Sequence, residues 1–261
     1  MIAIITAAGI SSRFNFQQSN KILKAVYYEG DRKNTLLYRL CQQCRQCDKI
    51  IAVGGYQFDR LQSYIDEVLP AELRKKIVVI FNPHYEDYSS GYSLYLGLNA
   101  AFRYEASPIV FLEGDLVVDD ESLSEVFDAD GDVLTFNRET IDSQKSVVFY
   151  EDARGDFRYA FNSSHGFLSI NEPFRRIWNS GQVWKFADVA QLEYACGEFF
   201  DECVVGTNLE IVQRYFDHTT IFNHEHRGGG RKRNLIAFRH WFNCNTRADY
   251  AHAFNIISTK E

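Results

Sequence analysis

Met1-Ile-Ala-Ile-Ile-Thr-Ala-Ala-Gly-Ile-Ser-Ser-Arg13, followed by Asn20-Lys21-Ile-Leu23 and Val26, reads as one buried strand running into a small-residue loop and then two cations. Ile2 to Ile5 are apolar and β-branched without period-two alternation, which suits a strand covered on both faces. Ala7, Ala8 and Gly9 have side chains too small to shield the backbone N–H groups, so a base, ribose and phosphates can approach the main chain. Arg13 would offer a planar fork to two phosphate oxygens, and Lys21 a mobile point charge. A dinucleotide fingerprint needs three glycines in G-x-G-x-x-G, and this stretch has only Gly9.

The chain of 261 residues, 46% hydrophobic and 15% aromatic, can bury a substantial core and fits one domain. No apolar run is long enough to cross a bilayer, and the N-terminal stretch lacks a basic leader, so a cytoplasmic site without membrane contact is expected. A net charge of −7 argues against nucleic-acid binding. Any phosphate must therefore be gripped locally.

Strand-like runs alternate with helical ones through the first half: a helix over 35–47, a strand over 48–55, a helix over 58–68 stopped by Pro70, a strand over 76–81, a helix over 91–102 and a strand over 109–114. That rhythm implies parallel β-α-β units and a doubly wound, nucleotide-binding α/β sheet. Residues 132–235 change character, with short strand-like runs (132–136, 147–150, 167–170) among aromatic-rich stretches. The expected organisation is one domain over 1–261, in the segments 1–131, 132–235 and 236–261. Cys41, Cys44 and Cys47 form C-x-x-C-x-x-C, but helical periodicity makes them small core hydrophobes rather than a zinc site.

Asp115 closes the fourth strand in Glu113-Gly114-Asp115, at a carboxyl end where open α/β sheets bind ligands. Mg²⁺, or Mn²⁺ in its place, wants hard oxygen donors and takes one or two carboxylates plus substrate phosphates, so Asp115 is the expected metal ligand. Thr246 and Asp249 read as the capping box of a last helix. His218, His224, His226 and the run Arg227 to Arg233 form the one concentrated basic stretch, a solvated loop or a lid over phosphates.

Ala7-Ala8-Gly9-x-x-x-Arg13 with Lys21-x-Leu23 resembles the signature of the nucleotidyltransferases, or pyrophosphorylases, which commonly reads A-A-G-x-G-x-R and P-K-x-L. Here Ser11 stands for the usual Gly and Asn20 for the usual Pro. The segment Asn82-Pro83-His84-Tyr85 with Gly91-Tyr-Ser93-Leu94 and Gly97-Leu98 is similar to the nucleotide pocket of phosphocholine-type cytidylyltransferases and molybdenum cofactor nucleotidyltransferases, and Gly55-Tyr56 fits the G-Y after their second strand. The resemblance implies a single Rossmann-like domain with a mostly parallel central sheet and an elaborated substrate side: a nucleotide-binding half (1–131), an acceptor-binding elaboration (132–235), and a metal-side turn and helix (236–261). It implies nucleotide-binding roles for Thr6, Ala7, Ala8, Gly9, Gly55, Tyr56, Asn82, Ser90, Ser93, Glu113 and Gly114, with Arg13, Lys21 and Asp115 catalytic. Where relatives carry acid-x-Asp-Thr as a second metal ligand, this chain has Asn243-x-Asn245-Thr246, which makes Asn245 the candidate.

The implied activity is Mg-dependent transfer of a nucleotidyl group, CMP from CTP being favoured, to a small phosphorylated or phosphonate acceptor with release of pyrophosphate. A sugar-1-phosphate enzyme using UTP or dTTP, a molybdenum cofactor enzyme using GTP, and a catalytically silent nucleotide-binding module are the alternatives. For the acceptor, Tyr159, Trp178, Trp184 and Tyr194 could cage a choline-like cation, or Arg154, Arg158, Arg175 and Arg176 could face a carboxylate.

Overall fold

The computed structural model describes residues 1–105, 107–161, 167–225 and 232–258, the side chains of 220–225 and 258 excepted. Strand β1 (Ile2–Ala7) organises the rest. Ile2 and Ile4 turn to one face and Ala3 and Ile5 to the other, none more than 3% exposed. Burial on both faces is what a β-branched, unalternating run dictates, at about 1.5–3 kcal/mol for each large side chain removed from water.

Strand β2 (Lys49–Gly54) pairs parallel to β1 on one side, with β3 (Ile77–Phe81) beyond it, and β4 (Ile109–Glu113) pairs parallel on the other side. Helices α1 (Leu36–Gln43), α2 (Phe58–Val68), α3 (Ala71–Arg74) and α5 (Asp120–Asp128) bury leucines, isoleucine and valine against the face carrying Ala3 and Ile5. Cys41, Cys44 and Cys47 lie in that same core, free and fully buried, and no cluster of three metal-ligating side chains occurs among the described residues. Helix α4 (Ser90–Ala101) crosses to the opposite face, where α6 (Val189–Cys203) and α7 (Asn208–Glu225) join it around Ile2 and Ile4. Gly97 permits this packing, because a Cβ there would lie 2.7 Å from Ile4 Cγ2.

The second half extends the same sheet. Strands β6 (Asp132–Asn137), β9 (Phe174–Phe186) and β10 (Arg233–Ala237) complete a nine-stranded sheet in the order β10-β6-β9-β4-β1-β2-β3, and β7 (Val148–Asp152) and β8 (Phe157–Tyr159) branch from β9. Along that path only β9 runs antiparallel to its neighbours. The architecture is thus a mixed α/β fold with a mostly parallel central sheet. Strands β5 (Leu116–Val118) and β11 (Trp241–Asn243) pair antiparallel beside it and, with α8 (Arg247–Ser258), close a small core of Phe14, Leu36, Val117, Cys244, Tyr250 and Ala253.

Two expectations for 132–235 need correction. Residues 167–170 hold only an isolated bridge at Phe167, because the strand of this region is β9, thirteen residues long. Its middle, Asn179-Ser180-Gly181-Gln182, has the composition of a turn but forms an irregularity in the pairing with β6, with Gln182 at φ 56°. Of the aromatics in the stretches given no structure, Trp178 and Trp184 lie in β9, and Tyr194, Phe199 and Phe200 lie in the long helix α6.

Candidate functional site

Chain order reverses at the β1/β4 pair: β2 and β3 build outward on one side, and the chain returns through α4 to pair β4 on the other. The strand ends of such a switch point leave a crevice. A cleft of about 250 Å³ lies there. Its walls come from the end of β1 and the loop after it (Thr6, Ala7, Ala8, Gly9, Ser11), the segment Leu23 to Ala25, the link after β3 (Asn82, Tyr85, Tyr88, Ser89), the start of α4 (Ser90, Ser93), and the end of β4 with the turn after it (Glu113, Gly114, Asp115).

The walls are held tightly. Gly114 N donates to Thr6 O at 3.0 Å, and a Cβ on Gly114 would collide with that same oxygen. Asn82 Nδ2 donates to Ser93 Oγ at 2.9 Å while its Oδ1 accepts from His84 N. The first turn of α4 lines the cleft through Ser90 and Ser93 and brings the positive end of the helix dipole there, with Gly91 N already bonded to Gly206 O. A dipole end so placed favours an anion.

Of the sequence-derived residues, Thr6, Ala7, Ala8, Gly9, Asn82, Ser90, Ser93, Glu113, Gly114 and Asp115 share the wall. Arg13 and Lys21 do not; both are exposed outside it. The cation in the wall is Lys24, whose Nζ lies 2.9 Å from Asp115 Oδ2. Asn15 exchanges two hydrogen bonds with the backbone of Ile22, and Gln57 accepts from Leu23 N and donates to Lys21 O. These clamps fix the chain so that Lys24, not Lys21, turns inward. Gly55 and Tyr56 stand behind the wall: Tyr56 N donates to Ala8 O at 3.0 Å, and the bare Cα of Gly55 lets Tyr85 pack close.

Ser11 sits at φ 56°, the left-handed region that a glycine adopts freely. Its hydroxyl donates to Gly9 O and accepts from Lys24 N, tying the loop to the inward cation.

Asp115 Oδ1 is buried without a hydrogen-bond partner, a hard oxygen on a residue that lines the cleft. One carboxylate with an unpartnered oxygen is what this cleft would offer Mg²⁺, which takes one or two carboxylates beside phosphates and water. Asn245 is not part of the wall; its backbone N–H bonds Asp249 Oδ2, and Thr246 and Asp249 form the reciprocal cap of α8. Asn243 donates through Nδ2 to Gln182, leaving its own Oδ1 buried and unpartnered.

Glu113 is the residue whose surroundings sequence reasoning missed most. Gln182 Nε2 and Asn208 Nδ2 each donate to one of its carboxyl oxygens at 2.7 Å. Burial pushes its pKa up to about 8, the negative charge of Asp115 adds to the rise, and Asn208 and Lys24 oppose it. No local signal marks this clamp, since its members are 69 and 95 residues from Glu113.

The aromatic cage does not assemble. Trp184 is fully buried, stacked on Phe111 and bonded to Tyr159, while Trp178 stacks on Phe149 and Tyr194 is 61% exposed on α6. Arg154, Arg158, Arg175 and Arg176 are engaged with Asp152, Asp156, Glu151 and neighbouring acids. His218 pairs with Glu198 away from the cleft. His226 and residues 227–231 of the basic stretch, with the side chain of His224, lie outside the described residues. No described helix is long and apolar enough to cross a membrane.

Three solved structures are similar over nearly the whole chain. The inositol-1-phosphate CTP transferase from T. maritima superposes with a TM-score of 0.63 at 12% identity, covering 98% of this chain and 95% of that one. The CTP:phosphocholine cytidylyltransferase LicC from Streptococcus pneumoniae gives 0.57 at 16% identity, covering 98% and 99%. A UDP-glucose pyrophosphorylase complexed with UDP-glucose gives 0.65 at 11% identity, covering 100% and 99%. At such identities the likeness is one of fold. No curated protein matches the chain. The model of one protein family matches residues 20–257, and the chain therefore belongs to that family, described as Domain of unknown function (DUF6564).

Proposed function

We propose that the chain is a nucleotidyltransferase that moves a nucleotidyl group from a nucleoside triphosphate to a small phosphorylated acceptor, releasing pyrophosphate. The observation that carries this reading is the Lys24–Asp115 pair in the wall of the strand-end cleft. An acceptor phosphate oxygen attacks the α-phosphorus, the bond to the β-phosphate oxygen breaks, and its electron pair leaves with pyrophosphate. The attacking phosphate is already ionised, so no general base is required; catalysis is positioning and charge stabilisation. Lys24 would meet the developing phosphate charge, and the N–H groups of the β1 loop with the dipole of α4 would hold the triphosphate. Asp115 would hold Mg²⁺, which neutralises phosphate charge when bound.

CTP is the favoured donor, because the segment from Asn82 to Leu98 resembles the cytidylyltransferases most and two of the similar folds act with CTP. The fold shared with a UDP-glucose pyrophosphorylase keeps UTP with a sugar-1-phosphate as the rival. Thermal-shift measurements with each triphosphate and Mg²⁺, followed by pyrophosphate-release assays, test both levels, since a bound nucleotide stabilises by its mass-action term. CTP should raise Tm most. A rise with UTP, dTTP or GTP but not CTP would overturn the cytidylyl assignment, and binding without pyrophosphate release from any acceptor would favour a silent nucleotide-binding module.

A further inference from the structure

Glu113 ends β4, the strand at which the parallel half meets β9, and both groups that hold it come from the second half of the chain. Gln182 is buried and adopts φ 56°, a costly conformation for a residue with a side chain, at the irregularity of β9. Asn208, buried at the start of α7, accepts from Ser90 Oγ through Oδ1, while Gln182 accepts from Asn243 through Oε1. These outer bonds orient both amides so that their N–H groups point at Glu113. Each carboxyl oxygen is therefore fixed by one donor and keeps a further acceptor site, on a residue that lines the cleft.

Lys24 and the β1 loop are placed to take the phosphates, which the Glu113 carboxylate in its ionised form would repel. That carboxylate suits the uncharged or cationic part of a ligand. We propose that Glu113, clamped by Gln182 and Asn208, reads the second substrate by accepting a hydrogen bond from a hydroxyl or primary ammonium on the acceptor, an assignment that rests on the nucleotidyl-transfer reading of the cleft. Gln182 and Asn208 are positioning residues. A trimethylammonium group has no N–H to offer, and the side chains that would have caged one are core or surface residues. The acceptor class is thus a phosphorylated alcohol or amine with a protic headgroup.

The test compares glycerol phosphate, ethanolamine phosphate and choline phosphate as acceptors for the wild type, E113Q and N208A, with the melting temperature of each variant checked. A site built to bond a protic group discriminates strongly against an analogue lacking it, so kcat/KM should favour glycerol or ethanolamine phosphate over choline phosphate by about tenfold or more. The preferred of the two identifies hydroxyl or ammonium as the group read. E113Q places an NH₂ against the Gln182 or Asn208 donor and should raise acceptor KM about tenfold while triphosphate KM changes less than about twofold; N208A should show the same split more weakly. Choline phosphate used equally well, or E113Q raising triphosphate KM instead, would overturn the assignment. Calorimetric titration of the same phosphates separates this from failure of the reaction itself. Binding of a protic phosphate that E113Q weakens, without pyrophosphate release from any pair of substrates, would overturn the transferase reading and leave the role of Glu113 standing; binding indifferent to both headgroup and E113Q would overturn that role.

Discussion

Lys24 Nζ donates to Asp115 Oδ2 at 2.9 Å across 91 residues of sequence, with both side chains about four-fifths withdrawn from solvent. One oxygen of the carboxylate thereby faces a cation of the protein itself and the other, Oδ1, has no partner. On the proposed reading, a triphosphate would give Lys24 phosphate oxygens to bond and Asp115 would be freed to hold Mg²⁺, so that substrate could replace the pair without leaving either charge bare.

Lys24→Met should therefore lower kcat by about 10²-fold or more, as when a preorganised charge stabiliser is removed. Lys21→Met, which removes an exposed cation outside the wall, should cost far less. Parallel pyrophosphate-release kinetics decide it: a larger loss at Lys21 would return the phosphate-binding role to that residue. Asp115→Asn should abolish turnover with a melting temperature near that of the wild type.

Ser11 carries a left-handed strain of about 1–2 kcal/mol that glycine would not. Ser11→Gly should relieve it while losing the hydroxyl's two bonds to Gly9 and Lys24. Unchanged or slightly higher Tm with a raised triphosphate KM is expected, and a lower Tm would show that the hydroxyl bonds outweigh the strain.

Legibility followed the range of the interactions. Helix α2 and strands β1 and β4 are readable because periodicity and β-branched composition are local, and Asp115 is readable because it ends such a strand. Strand β9 is hidden: Asn179 to Gln182 has turn chemistry, and only pairing with β6, β4 and β7 turns it into a strand interior. The choice of Lys24 over Lys21 depends on Asn15 and Gln57 holding the segment from either side, and the Glu113 clamp on residues 182 and 208. Such side-chain placement is set by tertiary trace, which no spacing rule contains.

Gly97→Ala should destabilise the fold by about 1–3 kcal/mol, the range for overpacking a filled core. The added methyl would meet Ile4 Cγ2 at 2.7 Å and Val53 Cγ2 at 3.2 Å, both rooted in central strands with little room to yield. Urea denaturation measures it. Gly97→Ala combined with Ile4→Val should recover part of the loss, and the absence of any recovery would place the clash elsewhere.

Asp119 caps α5 through Oδ1, which accepts from Ser122 N at 2.8 Å, and pins the turn before β11 through Oδ2, which accepts from Arg239 N and His240 N at 3.0 Å. Burial alone would raise its pKa, but the hydrogen bonds from His240, Ser122 and Arg239 outweigh it and the net shift is downward. A carboxylate lowered in the folded state contributes stability that is complete above the unfolded value of about 3.9 and is lost as pH falls through the folded value. Asp119→Asn leaves Oδ1 as a cap but turns an NH₂ toward two N–H donors, at a cost of about 1–3 kcal/mol. Urea midpoints taken from neutral pH down to about 2.5 should show the wild type losing its advantage over Asp119→Asn only in the acid limb. A constant gap between the two proteins across that range would mean that the charge of Asp119 contributes nothing and that its geometry alone holds α5 to the β11 turn.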